Sequence, residues 1–360
     1  MLKTAQILKV DWIEAQAKRV LVETLRDVPF VKELNVKRNA RLGRADIDLL
    51  VTLRHGEKRQ RIVCEVKSSG QPRLAREACL HLRHVIERND YPVFMAPYIS
   101  PEASAICVEL GVGFLDFAGN GRLTFGEIYI KRSGYPNPSV ARRELRSIYS
   151  PKAERVLRVL LTVGPCRWKT QQLADEAQVS LGQISNVKAL LTDREWIDSD
   201  ESGFGLRSFD HAVLPLVKGW SENYRLSRSE ATEFYSMNKI PEIEGSLVET
   251  ANKLGGELGF TLFSGAARFQ PIVRYQKVSA YYLGNLSELA IQAGLKPVGT
   301  GANVTVFSPY DRGIFYGSRK IDQAPILSPV QLYLDLQQTK GRGEEAAAAI
   351  LNEVVAPQWR

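Results

Sequence analysis

At 360 residues the chain is long enough for two or three domains, each able to bury its own core. No apolar run approaches the roughly 20 residues needed to cross a bilayer, and MLKTAQILKVDW lacks the features of a signal peptide, so we expect a cytoplasmic protein without membrane contact. The net charge of +8 lies in the first 150 residues, where 25 Lys and Arg face 17 Asp and Glu; the remainder balances at 23 against 23, which favours a polyanion as partner of the first part.

Hydrophobic periodicity predicts an alternating α/β unit at the beginning of the chain. An amphipathic helix is expected at 10–27, strands near 34–38, 47–53 and 61–67, a helix at 71–89 and a strand at 92–96. ISPEASAICVELG predicts a further helix, and GVGFLDFAGNGRLTF predicts two short strands. The order αβββαβαβ is typical of an α/β sandwich.

Two of these strands form a predicted hairpin, ADIDLLV and IVCEVKSSG, with a turn around His55, Gly56 and Glu57. Glu65 and Lys67 are two residues apart on a strand and therefore share a face. Folding the hairpin brings the end that carries Asp46 and Asp48 beside Glu65. Carboxylates converging with one ammonium group can hold Mg²⁺ or Mn²⁺ and act on a phosphate, so the sequence predicts phosphodiester cleavage.

The pattern D-x(n)-E-V-K resembles the PD-(D/E)XK nuclease superfamily. The resemblance implies that Asp48 is the first metal ligand, Glu65 the second and Lys67 the catalytic lysine. Asp46 competes with Asp48, because ADID stands where the family has Pro-Asp. Glu14 matches the acidic residue that the superfamily supplies from its first helix. The alternative is a surface hairpin whose charges are only solvated.

Other metal-binding patterns are weak. The four cysteines include no CxxC pair, which indicates neither a zinc site nor a disulfide framework. His81 and His84 are three residues apart on a predicted helix without a matching carboxylate or cysteine, and we interpret them as an ordinary surface pair.

After a Pro-rich linker at 133–149, residues 150–210 predict a winged helix-turn-helix. SPKAERVLRVLLTVG has Ser150 as N-cap, Pro151 at the first helical position and Gly164 at the end. WKTQQLADEAQ predicts a short helix, VSLG a tight turn and QISNVKALLTDREW a third helix. WIDSDESGFGLRSF predicts a two-stranded wing, which completes the motif.

The third helix has two distinct faces. Ile184, Val187 and Leu191 are expected to pack inward. Polar side chains that can contact duplex DNA lie on the other face and on the wing: Gln183, Ser185, Asn186, Lys188 and Arg207. The alternatives are a protein-docking role for the winged helix, and structured RNA instead of DNA. A homodimer is expected if the DNA site is palindromic.

Residues 211–360 predict a small C-terminal α/β domain that packs or dimerises. LKPVGTGANVTVFSP predicts a hairpin, and SPVQLYLDLQQTKGRGEEAAAAILNEVV predicts two helices around residues 341–343. This part shows no catalytic set of residues.

A second resemblance extends over most of the chain. Residues 96–120, 179–191 and 301–347 resemble the AbiEi-like group of type IV toxin–antitoxin systems. The resemblance implies a transcriptional autorepressor that lowers expression of a partner toxin. The departure is the nuclease-like domain at 1–132, which a simple antitoxin does not need.

Two functional hypotheses follow for a multidomain α/β, DNA-binding protein. The first is divalent-metal-dependent DNA cleavage by the N-terminal domain, directed by the winged helix. The second is a non-catalytic repressor of the antitoxin type that binds operator DNA and needs no cofactor.

Overall fold

The computed structural model describes residues 2–29, 31–55, 58–137, 148–269 and 274–360. The chain divides into two compact units, Met1–Glu144 with Thr192–Glu195, and Leu145–Leu191 with Trp196–Arg360. The predicted turn residues Gly56 and Glu57, and residues 138–147 of the predicted linker, lie outside the described residues. Within the described part of the chain, no helix is both long and apolar enough to cross a membrane.

The first unit follows the predicted order of helices and strands. Its elements are α1 (Leu2–Arg26), β1 (Val31–Leu42), β2 (Ala45–His55), β3 (Lys58–Val66), α2 (Pro72–Val85), β4 (Asp90–Ala96), α3 (Pro101–Glu109), β5 (Gly113–Asp116), β6 (Gly121–Phe125) and β7 (Ile128–Arg132). The strand β7 was not predicted. The helix starts have local causes: Ser100 accepts a hydrogen bond from the Ala103 N–H at 3.2 Å, and Pro72 and Pro101 stand in the first helical turn.

These strands form one seven-stranded sheet in the order β1-β2-β3-β4-β5-β6-β7. The pairs β3–β4 and β4–β5 are parallel and the others antiparallel. α1 packs Leu21 and Leu25 into the core on one face, whereas α2 and α3 pack Leu82 and Cys107 into a second core. The unit is therefore a mixed α/β sheet covered by helices on both faces.

The remaining elements begin with three helices and a strand pair: α4 (Pro151–Thr162), α5 (Thr170–Ala177), α6 (Leu181–Asp193), β8 (Ile197–Asp200) and β9 (Gly203–Leu206). We call residues 151–206 the trihelical region. Its order is the one predicted for a winged helix-turn-helix. The third helix was predicted at 183–196, but α6 begins at Leu181, because Ser180 Oγ accepts from the Gln183 N–H at 3.3 Å. It ends before Glu195, whose φ of 59° is left-handed.

The C-terminal part consists of α7 (Leu214–Asn223), β10 (Glu230–Tyr235), α8 (Ile240–Leu254), β11 (Glu257–Phe260), α9 (Leu262–Ala266), β12 (Val278–Leu283), α10 (Leu286–Gln292), β13 (Lys296–Pro297), β14 (Val304–Ser308), β15 (Arg319–Ile321), β16 (Ala324–Ile326), α11 (Pro329–Gln337) and α12 (Arg342–Ile350). Its sheet has the order β13-β10-β14-β12-β11-β16-β15. The hairpin predicted at 295–309 is wrong, because β13 and β14 pair with opposite edges of β10 instead of with each other.

A buried polar network joins the trihelical region to the C-terminal sheet within the second unit. Arg158 on α4 lies 3.6 Å from the carboxylate of Glu154. Its Nη2 donates a hydrogen bond to Gln331 Oε1 at 2.8 Å. Gln331 in turn donates to Asp335 at 2.9 Å, and Tyr224 donates to the same carboxylate at 2.7 Å. Buried polar groups are costly unless they are satisfied, so this network fixes α4 and α11 in one arrangement.

Asp335 gives the second unit a specific pH dependence. Burial raises the pKa of this carboxyl to about 6, although its hydrogen bonds with Thr261, Tyr224 and Gln331 oppose the shift. Because the folded state binds the proton more tightly than the unfolded chain, this contribution to stability is complete below about pH 4 and is lost as the pH rises through 6. The difference in unfolding free energy between the parent protein and Asp335→Asn should therefore fall from pH 4 to pH 6 in urea titrations. A difference that is constant or rises would contradict the assignment.

Candidate functional site

Asp48 lies where two strands of the first sheet separate. β2 and β3 pair as far as Leu49 and Cys64, after which β3 continues beside β4 as far as Val66. Asp48 Oδ2 accepts a hydrogen bond from the Val66 N–H at 2.6 Å, in place of a backbone carbonyl. Extending the same register by one residue places Asp48 opposite Glu65, as the hairpin prediction required.

Glu65 and Lys67 form a close ion pair beside Asp48. Lys67 Nζ donates to Glu65 Oε1 at 2.8 Å, and Glu65 is only 6% exposed. His81 Nδ1 on α2 lies 3.7 Å from the same oxygen. The structure therefore brings the predicted pair together on one face, and it adds an imidazole that the sequence analysis assigned to an ordinary surface pair.

The other two candidate acidic residues have different surroundings. Glu14 on α1 is buried and accepts a hydrogen bond from Arg38 Nη2 at 2.9 Å. Its negative charge contributes to the raised pKa of Asp48, so it belongs to the same electrostatic neighbourhood. Asp46 instead has a side chain that is 92% exposed and lies 3.8 Å from Arg41. Of the two competing aspartates, Asp48 is the one that lies in the cluster.

The charges of these groups are strongly coupled. Burial raises the pKa of Asp48 to about 6; the hydrogen bond from Val66 opposes this shift, and the charges of Glu65 and Glu14 add to it. Burial lowers the pKa of Lys67, but the hydrogen bond and charge of Glu65 outweigh that effect and raise it overall. Lys67 is therefore a fixed positive charge, and Asp48 is the carboxylate whose negative charge is least compensated.

The donor set can be compared with what a divalent cation needs. Glu65 is engaged by Lys67, and Glu14 by Arg38. Among the side chains that the structure describes, no group of three or more His, Cys, Asp or Glu could hold a metal ion. Mg²⁺ is commonly bound through one or two carboxylates and keeps several waters. Asp48 and Glu65 fit that smaller requirement.

The trihelical region contains the second candidate site. Ile184, Val187 and Leu191 are buried as predicted. Ser185 and Asn186 are exposed on the opposite side of α6, whereas Gln183 is half-buried. Ser185 and Asn186 are therefore the predicted contact residues most accessible to a groove of duplex DNA.

Two of the predicted DNA contacts are already engaged within the protein. Lys188 Nζ lies 4.7 Å from the centre of the Phe204 ring, which is a cation–π geometry. Arg207 donates to Asp198 at 2.7 Å. The hairpin between β8 and β9 also carries Asp200 and Glu201, and these carboxylates oppose approach to a phosphate backbone.

Sequence reasoning missed Arg38 and His81. Both lie far along the chain from the residues that they contact. The separation is 24 residues between Arg38 and Glu14, and 16 residues between His81 and Glu65. The alternation of β1 could have indicated Arg38, because an arginine at an inward-facing position needs a carboxylate partner. No local pattern indicates which α2 side chain reaches β3.

Part of the chain matches the model of a known protein family. A family model described as "Transcriptional regulator, AbiEi antitoxin, Type IV TA system" matches residues 214–356. This stretch lies in the second unit and includes 301–347, one of the segments that suggested the resemblance; segments 96–120 and 179–191 lie outside it. No curated protein and no solved structure matches the chain.

Proposed function

We propose that this chain is a DNA-binding transcriptional regulator of the type IV antitoxin kind, in which residues 150–210 act as a winged helix-turn-helix. The match of residues 214–356 to a regulator and antitoxin model carries the proposal. The exposed Ser185 and Asn186 on α6 support it, because such side chains can hydrogen-bond to base edges in the major groove. The partners are operator DNA and a toxin expressed under its control.

The buried network supports a division of labour within this regulator. Arg158 on α4 and Gln331 on α11 tie the trihelical region to the part of the chain that matches the family model. We propose that a change at that part, such as toxin binding, acts on α6 through α4, which packs into the same hydrophobic core as α6. We propose 211–360 as the domain that serves this role and 133–149 as the linker to the N-terminal domain.

The regulatory proposal is tested by footprinting in EDTA, with a duplex that contains the DNA upstream of the chain's own coding region. We expect a protected segment with a defined sequence and no cleavage of the DNA. Absence of protection on this duplex, together with equal retardation of a scrambled duplex of the same length, would refute sequence-specific regulation.

The Asp48–Glu65–Lys67 cluster favours a second candidate function, phosphodiester cleavage by a PD-(D/E)XK-like domain at 1–132. Asp48 and Glu65 would hold Mg²⁺ or Mn²⁺, which when bound polarises a phosphate oxygen and lowers the pKa of bound water. Lys67, with a raised pKa, stays protonated and offsets charge on the phosphate. Asp48 offers one oxygen, since Oδ2 is bonded to the Val66 N–H.

The cleavage candidate predicts that Lys67→Ala abolishes metal-dependent nicking of supercoiled plasmid, while its affinity for DNA stays within a few fold of the parent. The assay compares EDTA, Mg²⁺ and Mn²⁺, and the matched control is Lys18→Ala, which removes an exposed lysine on α1. Nicking by Lys67→Ala at the rate of the parent would exclude Lys67 from catalysis. If the parent protein does not nick DNA with either metal, the cleavage candidate is excluded and transcriptional regulation is the function that remains.

A further inference from the structure

The three strands that lead to the Asp48 cluster have one apolar face under α1; their other face carries basic side chains next to a part, with Leu50 and Val63, that packs into the second core. Leu49, Val51 and Leu53 of β2 are buried under α1. The alternate residues point the other way, and the register aligns Lys32 of β1, Arg54 of β2 and Arg59 of β3 in one row. Residues directly opposite one another in neighbouring strands share a face, so these three side chains are neighbours.

A fourth positive charge lies on the same face. Lys37 is paired with Leu50, and Leu50 and Arg54 lie on the same side of β2 because they are four residues apart. A register shift between Lys32 and Asn35, where Glu33 has a φ of 54°, keeps Lys32 and Lys37 on one face despite their odd spacing. We call Lys32, Lys37, Arg54 and Arg59 the basic strip.

The basic strip has few carboxylate partners among the described residues. Lys32, Lys37 and Arg59 are exposed and form no ion pair with a carboxylate in that part of the chain. Arg54 pairs with Glu33 at 3.1 Å, but both side chains are about half exposed to water. Exposed pairs of this kind contribute little, so Arg54 can exchange its partner for a phosphate.

The spacing of the basic strip suits a polyanion with regularly spaced charges. Adjacent strands lie about 4.8 Å apart, so the row from β1 to β3 spans roughly 10 Å, and Lys37 lies roughly 13 Å along β1 from Lys32. Residues 31–66 carry nine Lys and Arg against five Asp and Glu, which accounts for part of the excess charge of the first unit. Phosphate neutralisation with counterion release provides the driving force for such contacts.

We propose that the basic strip is a second DNA-binding surface, which contacts the phosphate backbone of duplex DNA without reading its sequence. The proposal rests on the proposed function, which makes duplex DNA the partner of this chain. It adds a surface in the first unit that raises affinity for any duplex. It also supplies DNA to the face that carries Asp48 and Glu65, since β2 runs from Arg54 to Asp48.

The test uses the full chain and a charge-reversed triple, Lys32→Glu with Lys37→Glu and Arg59→Glu. The matched control triple, Lys18→Glu with Arg26→Glu and Lys131→Glu, changes the net charge equally at exposed positions of α1 and β7. Affinities for footprinted and scrambled duplexes are measured by fluorescence anisotropy in EDTA at several salt concentrations. A neutral triple with Gln at the three strip positions guards against misfolding, and circular dichroism checks all three proteins.

The strip triple should lose at least about tenfold in affinity on both duplexes, and the slope of log K against log salt should shrink by about 0.9 for each lost phosphate contact. The control triple should change much less. Equal losses in the two reversed triples, or no loss in the strip triple, would overturn the proposal. The same variants are also measured with a structured RNA hairpin, and a loss confined to that RNA would overturn the proposal and make RNA the partner. Failure of the regulatory function is distinguishable, because it would abolish the preference for the footprinted duplex and leave the strip effect intact.

Discussion

Replacing Glu154 by leucine should lower the free energy of unfolding of the second unit by about 3–5 kcal/mol. Glu154 is 1% exposed and lies 3.6 Å from Arg158, which is equally buried. It also accepts from Arg228 at 2.7 Å and from the hydroxyl group of Tyr310. Without this carboxylate, the guanidinium group of Arg158 stays buried without its negative partner, and that is the costly state.

Urea unfolding followed by tryptophan fluorescence measures this effect. Four of the five tryptophans belong to the second unit, so the signal reports mainly on it. Glu249→Leu is the matched control, because Glu249 is exposed and pairs with Lys253 on the surface of α8; it should leave the midpoint unchanged. Adding Arg158→Met to Glu154→Leu should recover much of the loss, since an apolar replacement of both partners removes the unpaired charge. A loss below 1 kcal/mol in the single variant would show that the network does not stabilise the unit.

Replacing Asn186 by alanine should weaken binding to the footprinted duplex by about 1–3 kcal/mol, roughly 5-fold to 150-fold. Asn186 is exposed on α6, and an asparagine side chain can bond to both polar groups of an adenine edge in the major groove. Binding to a scrambled duplex should change little, because phosphate contacts supply that affinity.

Asn223→Ala is the matched control for Asn186→Ala. It removes the same side chain from an exposed position of α7, where Asn223 donates to the Gly219 carbonyl at 2.7 Å. Its binding to both duplexes should equal that of the parent. Equal losses on the two duplexes in Asn186→Ala would assign Asn186 to a phosphate, and no loss on either would remove it from the interface.

Many elements of the first unit could be predicted from the sequence, because they depend on patterns among neighbouring residues. Alternation in β2 and β3 indicated which side chains share a face, and the predicted hairpin implied the register, so Asp48 was expected beside Glu65; the register of β2 and β3 agrees with this. The choice between Asp46 and Asp48 was not local. It depends on the point where β2 and β3 separate, because there the side chain of Asp48 accepts the hydrogen bond of the Val66 N–H.

What the sequence could not show lies in contacts across the sheet and between distant segments. The hairpin predicted at 295–309 has strand-forming residues and a glycine-rich turn, but β10 occupies the space between its two strands. Arg207 was read as a DNA contact from its place on the wing, and the partner at Asp198 becomes visible only once β8 and β9 are paired. Charge alone does not say whether an arginine is available to a ligand.

The most direct test of a sequence-reading regulator is the ratio of two affinities of the unaltered protein, for the footprinted duplex and for a scrambled duplex, in EDTA at one physiological salt concentration. A regulator that reads bases through α6 should bind the footprinted duplex at least about a thousandfold more tightly. A ratio near one would contradict the account, and the winged helix would then be a module for docking proteins or for binding duplexes of any sequence.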